Sequence, residues 1–136
     1  MAGFQFELVS PEKLLLSRPV EMVVIPASEG DIGVLAGHAP MIVALRGGVI
    51  AVREGGRDTE RLYVAGGFAE IGPQRVTVLA DEAVPLEELS RAEADRRVAE
   101  AEQAYLAASA ETPERREAAM DRLLAMRAMR EAARAP

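Results

Sequence analysis

Up to Leu79 the apolar residues come in short runs: Gln5–Ser10, Lys13–Arg18, Glu21–Ile25, Met41–Leu45, Val49–Arg53, Arg61–Val64, Phe68–Ile71 and Arg75–Leu79. Turn residues separate them: Ser10-Pro11, Pro26, Gly30, Gly37, Gly47-Gly48, Gly55-Gly56, Gly66-Gly67 and Gly72-Pro73. Many short strands punctuated by Gly and Pro predict a β-sandwich or a barrel. Alternation sets the faces: Phe4, Phe6 and Leu8 share one, as do Val49, Ala51 and Arg53, and Val76 and Val78 oppose Thr77 and Leu79. The stretch from Val20 to Ile25 is apolar on both faces, the pattern of a strand with a core on one side and a partner on the other.

Beyond Pro85 the period changes. Ala94, Val98, Ala101, Tyr105 and Ala108 recur every three or four residues, a helical stripe. Ser90-Arg91-Ala92-Glu93 fits a capping box, and Pro85 with Glu87 and Glu88 offers a start one turn earlier. Thr112-Pro113-Glu114 opens a second helix, with Thr as N-cap and Pro in the first turn, and Met120, Leu123, Leu124 and Ala128 form its stripe. A short loop makes the two helices antiparallel neighbours. Ala dominates the first stripe and buries little area, so the hairpin is expected to be thinly packed and able to undock. Helices of roughly 20 residues span about 30 Å, so an opened hairpin reaches far beyond the strands.

Composition sharpens this division. All 11 Gly lie at or before Gly72, while the tail is built from Ala, Glu and Arg, which are strong helix formers. We read residues 1–85 as the β unit and 86–136 as the helical hairpin. There is no Cys, so disulfide and thiolate chemistry are excluded. The opening MAGFQFELVSPEK shows neither the basic region nor the apolar stretch of a signal peptide, and the longest apolar run is far too short to span a bilayer. The expectation is a soluble protein, or one held at a membrane by another protein. The net charge of −6 argues against nucleic acid as partner. Residues 86–114 carry three Arg against eight acids, whereas residues 115–136 carry six Arg against three acids. An acidic first helix beside a basic second one suits antiparallel pairing, or the grasping of an acidic surface.

Candidate chemistry is sparse. His38, the one histidine, sits in Gly37-His38-Ala39-Pro40 with no Cys or second His beside it, and reads as a turn or contact residue rather than a catalytic one. Ser28-Glu29-Gly30-Asp31-Ile32-Gly33 lacks the spaced carboxylates and terminal Glu of a Ca²⁺ loop and reads as a solvated hairpin turn. The Gly-Gly pairs precede neither a helix nor a Lys-Ser/Thr pair, so they mark turns or close strand packing, not phosphate cradles. Along the tail, Glu93 with Arg97 and Glu87 with Arg91 stand at ion-pair spacing, each worth a few tenths of a kcal/mol.

Four segments together carry a family likeness: Phe6-Glu7-Leu8-Val9-Ser10-Pro11, Glu29 through Pro40 with its Gly-His-Ala-Pro end, Tyr63-Val64-Ala65-Gly66-Gly67-Phe68, and Val76-Thr77-Val78-Leu79-Ala80-Asp81-Glu82-Ala83. In order and spacing the chain resembles the epsilon subunits of bacterial F-type ATP synthases over nearly its whole length. The resemblance implies a ten-stranded β-sandwich followed by an antiparallel two-helix hairpin. It implies a non-catalytic subunit at the foot of the central stalk, beside gamma and on the c-ring, peripheral to the cytoplasmic face of the bacterial inner membrane. The ring-facing loop of the family matches Glu29, Gly30, Asp31 and His38, with Asp31 the best single contact residue. Gamma is implied to meet an apolar strand surface.

Many members use the hairpin as a brake, the second helix meeting acidic residues of the catalytic beta subunit. The matching residues are Arg115, Arg116, Arg122, Arg127, Arg130 and Arg134. Some members bind ATP through Ile/Leu-Asp-x-x-Arg-Ala, which falls here on Glu87-Glu88-Leu89-Ser90-Arg91-Ala92. Arg91 and Ala92 match, but Glu87 and Glu88 replace the apolar residue and the Asp. These departures speak against nucleotide at Glu88, Arg91 and Ala92, and neither a cofactor nor a metal is expected. The competing readings are a free-standing adaptor or ligand-binding sandwich, and an enzyme using His38.

Overall fold

The structure is a computed structural model that describes residues 3–134, with the side chains of residues 3–133. Ten strands come first: β1 (Phe4–Val9), β2 (Leu14–Val20), β3 (Met22–Ala27), β4 (Gly30–Leu35), β5 (Met41–Leu45), β6 (Gly48–Glu54), β7 (Arg57–Val64), β8 (Gly67–Ile71), β9 (Arg75–Ala80) and β10 (Ala83–Pro85). A 3₁₀ turn at Leu86–Glu88 leads into α1 (Arg91–Ala108) and α2 (Pro113–Arg134).

The strands form two five-stranded layers, β10-β7-β6-β3-β4 and β5-β8-β9-β1-β2, joined at one corner where Ala27 pairs with Leu45. Neighbours are antiparallel except β1 and β9, which run parallel with Phe6 beside Val76 and Leu8 beside Val78. Alternation puts Phe4, Phe6, Leu8, Val76, Val78 and Ala80 inward from one layer and Val23, Ile25, Val34, Ile50, Val52 and Leu62 inward from the other. These close the sandwich as one apolar core. On the side away from the Ala27 corner, Arg18 of β2 reaches across to Glu54 of β6 at 2.9 Å and Glu60 of β7 at 3.0 Å, tying the two layers together.

Two strands escape the hydrophobic reading. Residues 28–33 are expected as a turn; only Ser28 and Glu29 turn, and Gly30 starts β4, which pairs residue by residue with β3. Gly30 and Gly33 are poor strand formers, and pairing to β3 overrides that preference. β10 is too short to show a period. Gly67 lies at φ +130° with the Leu79 carbonyl where a Cβ would stand, 2.1 Å away, so close strand approach accounts for this Gly-Gly pair.

The helices begin where their caps predict. Ser90 accepts a hydrogen bond from the Glu93 amide at 3.2 Å, and Thr112 accepts one from the Arg115 amide at 3.3 Å. The reciprocal half of the box is diverted, because the Glu93 carboxylate binds Arg96 and, at 3.0 Å, Arg97. Those two cations hold the Glu93 carboxyl down at about 2. The Pro85 start becomes the separate 3₁₀ turn, which ends with Leu89 extended, so Glu87 and Arg91 share no helical face. On α2 the buried stripe is Leu123, Met126, Met129 and Ala132, with Ala125 beside it. Leu124, expected inside, is 53% exposed. Its neighbours at Leu123 and Ala125 are the ones turned toward the strands, a shift of one position on the helical wheel.

Phe6 is fully buried at the centre of the sandwich. Phe6→Ala is expected to destabilise the chain by about 3–5 kcal/mol in urea unfolding, through lost burial and the cavity left behind.

Candidate functional site

The hairpin lies on the outer face of β6 and β7. Val49 and Tyr63, a cross-strand pair, point out of the sandwich there. Tyr63 joins Ala94, Val98 and Ala101 of α1 and Leu123, Met126 and Met129 of α2 in a second apolar core. The seat is richer than an alanine stripe, since α2 contributes two methionines and a leucine. Contact is closest at Gly47, where an added Cβ would lie 2.7 Å from the Ala125 Cα. Next to it the Tyr63 hydroxyl donates to the Ala125 carbonyl at 2.5 Å. Glu82, just before β10, binds both helices: Arg97 of α1 at 2.6 Å and Arg122 of α2 at 3.9 Å. Burial, and then the nearby Glu82 charge, push the Tyr63 phenol well above its ordinary value.

Glu29 lies in the β3–β4 turn, and Asp31 is the second residue of β4. Asp31 is exposed and accepts a hydrogen bond from Arg46 at 2.8 Å. His38 lies past the other end of β4, with ring Nδ1 2.7 Å from the Ala39 carbonyl. Its loop is anchored where the Gly37 amide donates to Pro73 at 2.8 Å. Four steps of β4 from Asp31 to Leu35, at about 3.3 Å each, put roughly 13 Å between Asp31 and the turn in which the His38 amide binds the Leu35 carbonyl. The four residues matched to one ring-facing loop therefore occupy two places.

Of the α2 arginines, Arg115 lies 3.6 Å from Glu111, Arg122 3.9 Å from Glu82 and Arg127 3.7 Å from Glu102. Arg116 is exposed and Arg130 half-buried. The side chain of Arg134 lies outside the described residues. Glu88, Arg91 and Ala92 are exposed at the 3₁₀ turn and the start of α1. The adjacent groove, about 380 Å³, is lined by Leu86, Ala132 and Ala133 with Asp58, Glu60 and Glu87 against one Arg61. Three carboxylates to one guanidinium is poor chemistry for a triphosphate. Among the described residues no group of three His, Cys, Asp or Glu is placed to hold a metal ion, and no helix is long and apolar enough to cross a membrane.

A surface that sequence reasoning did not locate lies on the outer face of the other layer. Ala44, Phe68, Leu79, Val9 and Leu14 stand side by side across β5, β8, β9, β1 and β2. Phe68 is 59% and Leu79 56% exposed, and Ile42 nearby is 70% exposed. The signal was present in the alternation, since Leu79 opposes Val76 and Val78. It needed the cross-strand register to become a row.

A strand body with an apolar outer row, an acidic turn and a seated helical hairpin defines a protein that works by contact. Residues 3–86 match the family described as the ATP synthase delta/epsilon chain, beta-sandwich domain. The ATP synthase epsilon chain of Granulibacter bethesdensis is 58% identical over 134 residues, covering 98% of this chain and 99% of that one. That of Rhodospirillum rubrum is 47% identical over 121 residues, 89% of this chain and 90% of that one. A chain in a structure of the Euglena gracilis mitochondrial ATP synthase, showing OSCP/F1/c-ring, superposes with TM-score 0.76 at 27% identity, covering 97% of this chain and 82% of that chain. This chain belongs to the ATP synthase epsilon family.

Tyr63→Phe is expected to weaken hairpin docking by about 0.5–1.5 kcal/mol, read as faster amide exchange in α2 than in β1 or β9. Because the seated phenol titrates above the exposed one, docking stays whole below about pH 10 and is lost as pH rises beyond it. Alkaline undocking of the parent chain, blunted in Tyr63→Phe, is the expected result in a pH series of α2 exchange.

Proposed function

We propose that this chain is the joint at the foot of the central stalk of a bacterial ATP synthase, passing c-ring rotation to gamma and so coupling proton flow to ATP synthesis. It takes no part in the bond chemistry of ATP. The likeness to epsilon chains along almost the full length carries the reading. Two separated contact surfaces, one polar and one apolar, support it.

Glu29, Gly30 and Asp31 are assigned to the polar loops of the c-ring, where an exposed acid transmits load through a charge-assisted contact. His38, a strand's length away, is assigned to a different ring loop. The row of Phe68, Leu79, Leu14 and Ile42 is assigned to gamma. The chain then rests on the cytoplasmic face of the inner membrane through its protein partners.

The hairpin of residues 86–136 acts as a regulatory unit. Released, it brings Arg115, Arg116, Arg122, Arg127, Arg130 and Arg134 to acidic residues of the beta subunit and blocks hydrolysis. The internal pairs of Arg115, Arg122 and Arg127 are long and solvent-exposed, each worth at most about 1 kcal/mol, so they offer little resistance to exchange. A full swing of a two-state hairpin takes about 5.5 kcal/mol of differential binding, within reach of several such contacts.

Pull-down of the chain from solubilised membranes is expected to bring gamma and c-ring polypeptides, and their absence would refute the joint. Phe68→Glu with Leu79→Glu is expected to lose gamma. Deleting residues 87–136 is expected to raise ATP hydrolysis with assembly intact; unchanged hydrolysis would remove the brake and leave the joint.

A further inference from the structure

A sandwich of two open layers has four edge strands, and unused edges are normally guarded. Three are guarded here. β10 has three residues and ends in Pro85. β2 contains Pro19, and its Arg18 is tied across to β6 and β7. β5 is partly used, since the Ala44 carbonyl accepts the Ser28 amide at 2.9 Å and Leu45 pairs with Ala27.

β4 is different. It has six residues with no Pro and no Lys, and β3 is its one strand partner among the described residues. The two-residue turn makes Ala27 and Gly30 the hydrogen-bonded closing pair. Antiparallel alternation then directs Gly30, Ile32 and Val34 toward β3 and leaves the main-chain groups of Asp31, Gly33 and Leu35 pointing outward. Pro26 agrees with this register: it stands opposite Asp31, has no N–H to give, and turns its carbonyl to the Arg46 amide at 3.0 Å. Of the outward groups, the Leu35 carbonyl is taken by the His38 amide at 3.3 Å. The amides of Asp31, Gly33 and Leu35 have no main-chain partner among the described residues.

Beside the turn half of this edge lies a groove of about 420 Å³ between β4 and β5, lined by Ile32 of β4 and by Met41 and Val43 of β5. Glu29 stands at its turn end, exposed and without an ion-pair partner among the described residues, while Asp31 is already matched by Arg46.

We propose that β4 receives an extended segment of another synthase polypeptide as an added strand. That segment is apolar at every second residue, to cover the groove, and carries a Lys or Arg where it passes Glu29. Main-chain bonds supply the affinity and the alternate side chains the selectivity. A second copy of this chain is the poorer occupant, because each copy carries a net charge of −6 and the edge itself bears acids. The inference rests on membership of the complex; it shares Glu29 with the proposed ring contact and does not depend on that contact.

Hydrogen exchange resolved to single amides, in the purified chain and in the complex isolated from membranes, tests it. The amides of Asp31 and Gly33 are expected to exchange at least tenfold more slowly in the complex, while those of Ile32 and Val34 are slow in both. Glu29→Lys is expected to reverse part of that protection, and unchanged protection would overturn the basic character assigned to the occupant. Unaltered exchange at Asp31 and Gly33 in a preparation that contains the other synthase polypeptides would overturn this inference alone. A preparation without those polypeptides would overturn both this inference and the proposed function. A dimer of the isolated chain protected at the same two amides would give the edge to a second copy and refute the proposal.

Discussion

A helix backbone can come down directly on the β5–β6 connection only where that connection offers no side chain, and Gly47 provides the place. Ala125 of α2 comes down on it, which brings the Ala125 carbonyl to the Tyr63 hydroxyl and lays Leu123, Met126 and Met129 over the outer face of β6 and β7. Without this contact Tyr63 and Val49 would face water, and the helices, with so much alanine on α1, would have little to fold against. The rest of the hairpin's placement follows from the seat.

The seat also divides the molecule energetically. The sandwich is closed by large aliphatic and aromatic side chains from both layers and by the Arg18 tie, whereas the hairpin is held by a small apolar core, one buried hydroxyl and the Glu82 ion pairs. Local opening is expected where apolar contacts are fewest, and that is the hairpin. Glu82 is the common point of the two helices, since it engages Arg97 and Arg122 together. A body that stays rigid while an appendage detaches can serve as a joint and carry a releasable arm at once. The two proposed roles therefore require no conflict within one small chain.

Much of this was legible in the sequence. The alternation of Phe4, Phe6 and Leu8 and of Val76 and Val78, the caps at Ser90 and Thr112, and the Gly-Gly positions all reflect local physics that the structure repeats. What was hidden depended on pairing between distant segments. β4 contains two glycines and becomes a strand because β3 needs a neighbour. The row through Phe68 and Leu79 exists only once five strands are in register. The rotation of α2 that buries Ala125 and exposes Leu124 depends on Gly47, nearly eighty residues earlier. The separation of Asp31 from His38 follows from β4 being extended, so two residues that looked like one loop lie at opposite ends of a strand.

Locking the seat tests this account most directly. The chain has no cysteine, so Glu82→Cys with Arg122→Cys can be joined by a short cleavable thiol linker within the assembled complex. The account predicts faster ATP hydrolysis with the linker in place, and a return to the inhibited rate when the linker is cut. A rate indifferent to the linker, in a complex shown to carry it, would contradict it.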